Sequence, residues 1–162
     1  PIYDVGSVKE AIEKAVSISS KGDLFAAFDL DASQMEHLME LCNKNELKFV
    51  EEGSLRDHGK GIDVGITFAD MAIAETGTIV VSSDSEQKRL ATMLCERHVA
   101  ILFESNIGAS ALDMVDKLEV FIKKPSSYTA FITGPSRTAD IERVLAIGVH
   151  GPLELHIMLI KD

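Results

Sequence analysis

At 162 residues the chain has the length of one domain, and with 46% hydrophobic residues it can bury a sizeable core. Sixteen basic against 26 acidic side chains leave a formal charge of −10, and no basic cluster exceeds Lys123-Lys124, which excludes a nucleic-acid or anionic-membrane surface as the expected partner. No apolar run nears the roughly 20 residues that span a bilayer, and no basic segment leads into an apolar one at the start, so the expected location is cytoplasmic.

The chain begins at Pro1 without a methionine, which suggests that upstream residues were removed or not included. Ser7-Val8-Lys9-Glu10 has the form of a capping box. Val8, Ala11, Ile12, Ala15 and Val16 follow at helical spacing and predict a helix ending near Gly22. Leu24 to Phe28 predicts a short strand. Ser33-Gln34-Met35-Glu36 repeats the capping signal ahead of a buried stripe of Met35, Leu38, Met39 and Cys42, up to about Asn45. Methionines at this spacing read as core rather than as a cofactor box. Leu47 to Val50 predicts a strand, and the charged, glycine-bearing stretch Glu51 to Gly61 an exposed connector, either a lid or an ordinary loop.

In Ile62 to Ser83, Val64, Ile66 and Phe68 alternate with smaller residues, Thr76-Gly77 breaks the run, and Thr78 to Val81 predicts a strand. Asp70 and Glu75 stand among alanines and isoleucines, where a carboxylate is costly unless something pairs with it. Beside a glycine turn they suit an acid–base pair, or Glu75 a nucleophile; a Glu75 that accepts backbone hydrogen bonds and holds the turn suits the same sequence. Asp84-Ser85-Glu86-Gln87 opens a helix with Leu90, Met93 and Leu94 inward. Val99 to Phe103 predicts a buried strand, and Ala109 to about Val120 a helix presenting Leu112, Val115 and Leu118.

Thr129 to Thr133 is an apolar, β-branched run that stops at Gly134-Pro135, after which Ile141, Val144 and Leu145 recur at helical spacing until Gly148. Strand, glycine turn and helix leave backbone N–H groups in the mouth of the loop, where the helix dipole favours negative charge. Ser136, Arg137 and Thr138 lie in that mouth and form a candidate seat for a phosphate or carboxylate; alternatively a hydroxyl caps the helix and Arg137 lies on the surface. The final strand, Leu153 to Ile160, is apolar at both parities apart from Glu154 and His156, as in a strand covered on both faces.

Helices alternating with short strands argue for a layered α/β fold with a mainly parallel sheet flanked by helices. In such sheets ligands gather beyond the carboxyl ends of the strands, where the segments Glu75-Thr76-Gly77-Thr78, Gly134 to Thr138 and His150-Gly151-Pro152 are expected to meet. His150 there either aims an imidazole at a substrate or bonds a nearby carbonyl. The five histidines form no HExxH or helix-face pair, and Cys42 and Cys95 have no CxxC partner, so no metal site, disulfide framework or iron–sulfur site is expected. Reduced, buried thiols are the default.

Three of these segments, Ala69-Asp70-Met71-Ala72-Ile73-Ala74-Glu75-Thr76-Gly77-Thr78, Gly134-Pro135-Ser136-Arg137-Thr138-Ala139-Asp140-Ile141-Glu142 and Gly148-Val149-His150-Gly151-Pro152, resemble the lactate-utilisation (LUD) domain family, the LutC/YkgG group. The resemblance runs from about Tyr3 to Asp162, as one domain over residues 1–162. It implies a fold similar to the NagB/RpiA/CoA-transferase group, no cofactor in this chain, and a part in oxidising L-lactate to pyruvate beside subunits that carry iron–sulfur clusters. It adds Asp140 to the ligand-binding set. Phe68 stands where the family often has a small residue and Met71 where an aromatic is common, so the pocket floor is expected to be reshaped; the extra N-terminal helix of longer members is not in this sequence. Three roles compete: an accessory subunit with the Arg137 loop holding an anion and Glu75 organising the opposite wall, an acyl or CoA transferase in which Glu75 attacks a thioester, and a non-catalytic scaffold or ligand sensor.

Overall fold

The computed structural model describes residues 1–50, 55, 61–83, 85–123, 128–136 and 151–162. After an edge strand β1 (Ile2–Val5), Ser7 caps α1 (Val8–Ser17) by accepting the Glu10 N–H at 3.2 Å. The reciprocal half of the box falls one residue early, because Glu10 takes the Gly6 N–H at 2.6 Å. Ala11, Ile12, Ala15 and Val16 are buried, as their spacing predicts. The helix stops at Ser17 rather than near Gly22, since the Ile18 and Ser19 N–H groups close a tight turn on Lys14 and Val16, and the Arg97 guanidinium takes the Ile18 carbonyl at 2.8 Å.

Following β2 (Leu24–Ala27), α2 (Ala32–Lys44) starts at Asp31, two residues before the expected Ser33 cap. Asp31 accepts the Gln34 N–H at 2.8 Å and Gln34 returns to the Asp31 N–H at 3.0 Å, a complete capping box. Leu38 and Cys42 are its buried residues, with Met35 packed beside them; Met39 lies a step round the helix and is 38% exposed.

A six-stranded sheet, wholly parallel, has the order β1, β10 (Glu154–Ile160), β7 (Cys95–Phe103), β4 (Ile62–Phe68), β2, β3 (Lys48–Phe49). One face, with Phe25, Val64, Ile66, Val99, Ile101 and Met158, packs under α1 and α2. Each such side chain, fully buried, contributes about 1.5 to 3 kcal/mol. Over β2 and β4 the opposite face is covered by α3 (Glu86–Leu94), whose Ala91 rests with Cys95 on Ala26, Phe28 and Ile62. Gly65 allows this approach: a Cβ there would meet the Ala91 carbonyl oxygen at 2.8 Å.

Over β7 and β10 lies a second sheet not foreseen as separate, β8 (Ile107–Gly108), β5 (Met71–Ile73), β6 (Thr78–Ser83), β9 (Tyr128–Ile132). Ile79 and Val81 from β6 pack there on Ala100, Leu102 and Leu155. Only four residues join β5 to β6, whereas a parallel crossover needs about a dozen, so the pair is antiparallel and leaves the main sheet. A 3-10 turn at Leu112–Met114 and α4 (Val115–Ile122) cover its outer side through Met114, Leu118 and Phe121.

Two predicted helix faces are corrected. On α3 the buried residues are Lys88, Ala91 and Thr92, while Met93 and Leu94 are exposed, because the small Ala91 is what fits over Gly65. Near α4, Leu112 is 82% exposed and the 3-10 turn brings Met114 inward instead.

Candidate functional site

Where β4 ends, the Ala69 N–H bonds Ile101 O and the Asp70 N–H bonds Val80 O, which turns the chain into the β5–β6 hairpin. Asp70 fixes that turn by accepting the Ser82 N–H at 2.7 Å, the pairing that a carboxylate in this setting requires. A 3-10 turn, Ala74–Thr76, closes the hairpin with Gly77 at φ +61°, a region where glycine has no steric penalty. Glu75 at its tip is exposed; its N–H bonds Ala109 O and its carboxylate accepts the Ala111 N–H at 3.0 Å, tying the hairpin to the segment after β8.

Three hydroxyls then run in line. Thr76 Oγ1 and Thr78 Oγ1 lie 2.7 Å apart, and Thr78 Oγ1 lies 2.7 Å from Thr133 Oγ1 at the end of β9. Beyond Thr133, Gly134 turns at φ +75°, and Ser136 donates its N–H to Pro152 O at 2.9 Å. Gly151, at φ +112°, passes so near Ser136 that a Cβ on it would touch the Ser136 Cβ at 3.4 Å. The Thr78, Gly134 and Gly151 turns therefore adjoin in a row.

Their junction is not beyond the carboxyl ends of the parallel strands. Gly151 and Pro152 directly precede β10, and the Leu153 N–H bonds Glu96 O, so the Gly134 and Gly151 turns meet at the amino ends of β10 and β7. β9 belongs to the second sheet, where it runs antiparallel to β6, which frees its terminal turn from the carboxyl edge of the parallel one.

A hollow of about 560 Å³ opens beside this junction, and Gly134, Pro135, Ser136 and Gly151 line it. Asp70, Glu75, Thr76, Gly77 and Thr78 are not in its lining; Thr78 reaches it through the hydrogen bond to Thr133, while Asp70 and Glu75 bond Ser82 and Ala111, which are not lining residues. Arg137, Thr138, Asp140 and His150, with the helix predicted from Ile141, Val144 and Leu145, lie outside the described residues. Sequence reasoning missed Met93, Tyr128 and Phe131, which line the hollow. Met93 was expected inward, and no periodicity in a five-residue strand marks which aromatic faces a ligand.

The departures at Phe68 and Met71 do not touch the hollow: Phe68 stacks on Phe103 at 6.3 Å, and Met71 is fully buried beside Ile73 and Val80. A larger opening of about 850 Å³ between β1 and α1 contains none of the sequence-predicted residues, and two of its carboxylates, Glu10 and Glu13, already bond Gly6 and His37.

His98 is wholly buried between β4 and β10, with Nε2 2.8 Å from Thr67 Oγ1. Burial lowers its pKa to about 4, so it is neutral at pH 7. His156 pairs with Glu154 at 2.6 Å and stacks on Tyr3. Cys42 and Cys95 are buried free thiols, and burial pushes Cys95 up to about 12. Among the described residues no three His, Cys, Asp or Glu side chains group at metal-binding distance, and no helix is long and apolar enough to cross a membrane.

Lactate utilization protein C of Geobacillus sp. (strain WCH70) is 36% identical over 110 residues, 65% of this chain and 45% of that protein. The protein of the same name from Shouchella clausii (strain KSM-K16) is 33% identical over 123 residues, 74% of this chain and 51% of that one. This chain thus spans about half the length of the curated relatives it matches. A crystal structure of a DUF162 family protein from Deinococcus radiodurans has the same fold, with a TM-score of 0.65 at 16% identity over 98% of this chain and 87% of that one. The LUD domain model matches residues 2–160, through all three motif segments and every described strand, and the chain belongs to the LUD domain family.

Proposed function

We propose that the chain serves lactate utilisation as an accessory subunit of a system oxidising L-lactate to pyruvate, and that it holds a small anionic ligand at the loop Gly134 to Thr138. The names of its relatives support the first part as far as a role in lactate utilisation; the oxidising system and the subunit role extend it by the family resemblance. The second rests on one observation: the Thr78–Thr133 and Ser136–Pro152 hydrogen bonds gather glycine turns beside a hollow. Backbone N–H groups, hydroxyls and the Arg137 guanidinium are the donor set that a carboxylate or phosphate takes. Glu75, outside the lining, holds the hairpin that carries Thr78, its carboxylate accepting the Ala111 N–H. In this reading the protein is cytoplasmic, carries no cofactor of its own, and works with partner subunits that hold the iron–sulfur clusters.

Calorimetry with L-lactate, pyruvate and inorganic phosphate tests the seat. Arg137→Ala is expected to weaken binding of the acidic ligand at least tenfold, about 1.4 kcal/mol. Unchanged affinity would remove the seat. Co-purification with a coloured, cluster-bearing protein tests the subunit role, and isolation without one under anaerobic conditions counts against it.

A further inference from the structure

The hollow beside the Gly134 turn is longer and more aromatic than a three-carbon hydroxy acid requires. It follows β9 from Tyr128 to Thr133, a run of about 16 Å at about 3.3 Å per residue. Its volume of about 560 Å³ falls within the roughly 300–1,000 Å³ of sites for drug-sized ligands. Lactate would fill one corner.

Tyr128, Phe131 and Met93 all line this trough and are 52%, 54% and 56% exposed. Large apolar side chains gathered open around one concavity mark a binding surface. β9 is also the outer strand of its sheet among the described residues, where it is bonded to β6 alone and its other edge carries backbone N–H and C=O groups not paired with another described strand. A flat ring with donors and acceptors on its rim suits such a wall, its face against the aromatic side chains and its rim against the strand. At the far end lie the Thr133 hydroxyl and the Gly134 backbone. The Arg89 guanidinium, 5.9 Å from the Tyr128 ring centroid, places positive charge near the aromatic end of an otherwise acidic molecule.

We propose that this trough binds a nucleotide-like molecule: a flat heteroaromatic body against Tyr128, Phe131 and Met93, joined to a phosphate or similar oxyanion at Thr133–Ser136. This rests on the anion seat proposed above and names the class of ligand that occupies it.

The chain has no tryptophan, and its two tyrosines are Tyr3, on β1, and Tyr128, so tyrosine emission reports on the trough. Titration of the whole chain with ADP is expected to quench part of that emission saturably, with an affinity at least tenfold above that for inorganic phosphate or L-lactate. Tyr128→Phe, which removes the reporter and leaves only Tyr3 emission, should abolish the quench. Phe131→Ala should weaken ADP at least tenfold and leave phosphate unchanged; Met93→Ala, on the facing helix, checks the result from a second exposed position, and a melting curve checks the fold of each variant. ADP binding no tighter than phosphate, or indifferent to both truncations, overturns the proposal. If phosphate still binds, only the nucleotide class falls; if neither binds, the anion seat falls with it.

Discussion

His98 shows how burial sets chemistry at the scale of one side chain. Its folded pKa of about 4 lies below the ordinary value of 6.5, so between those limits the unfolded chain binds the extra proton. Stability from this group is therefore complete above about pH 6.5 and is lost as pH falls toward 4, by about 1.4 kcal/mol per pH unit and about 3 kcal/mol in all. Urea unfolding between pH 7 and 4.5 is expected to show that slope, and His98→Gln to flatten it by about one proton. An equal slope in the variant would assign the effect to carboxylates instead. None of this was legible in the sequence, because the partner Thr67 lies 31 residues earlier on another strand. Glu75 was half legible: its type and glycine neighbour admitted a nucleophile or a turn-holding acceptor, and the Ala111 N–H that favours the second is visible only in three dimensions.

At the scale of elements, capping chemistry was read well and its position less well. Asp31 and Gln34 form the box that the sequence suggested at Ser33, since any short polar residue near a helix start carries the signal. Asp31→Ala is expected to cost about 1 kcal/mol, and Ser33→Ala, inside the first turn, only a few tenths, as read from urea midpoints. A larger loss at Ser33 would contradict the assignment. Inward faces were misread where size ruled the choice. On α3 the largest apolar residues were expected inside, yet the helix sits over Gly65 through Ala91, and Lys88 reaches past its neighbours to Asp29. The inner strands of the main sheet were legible because burial on both faces leaves continuous apolar runs, as in β7 and β10, whereas the short edge strand β1, with only Val5 buried, was not foreseen.

Across the whole molecule, the parallel sheet was foreseen and its mixed companion was not, although the four-residue connection at Ala74 to Gly77 held the clue to the antiparallel β5–β6 pair. Amide exchange is expected to be slowest in β4 and β7, paired on both sides, and much faster in the edge strands β1 and β3. Uniform protection across the sheet would mean that it opens only as a unit. The convergence of distant turns was expected at the carboxyl ends of the parallel strands, but the Gly134 and Gly151 turns meet at the amino ends of β7 and β10, a consequence of packing a second sheet on the first that no local pattern encodes. The bare backbone at Gly65 reaches further than its own contact. Since α3 already stands at its closest approach there, and Met93 rides on the same helix, a single methyl at position 65 would lever the helix outward and alter the bore of a cleft on its other flank. The calibre of the ligand trough is governed by a residue that no ligand would touch.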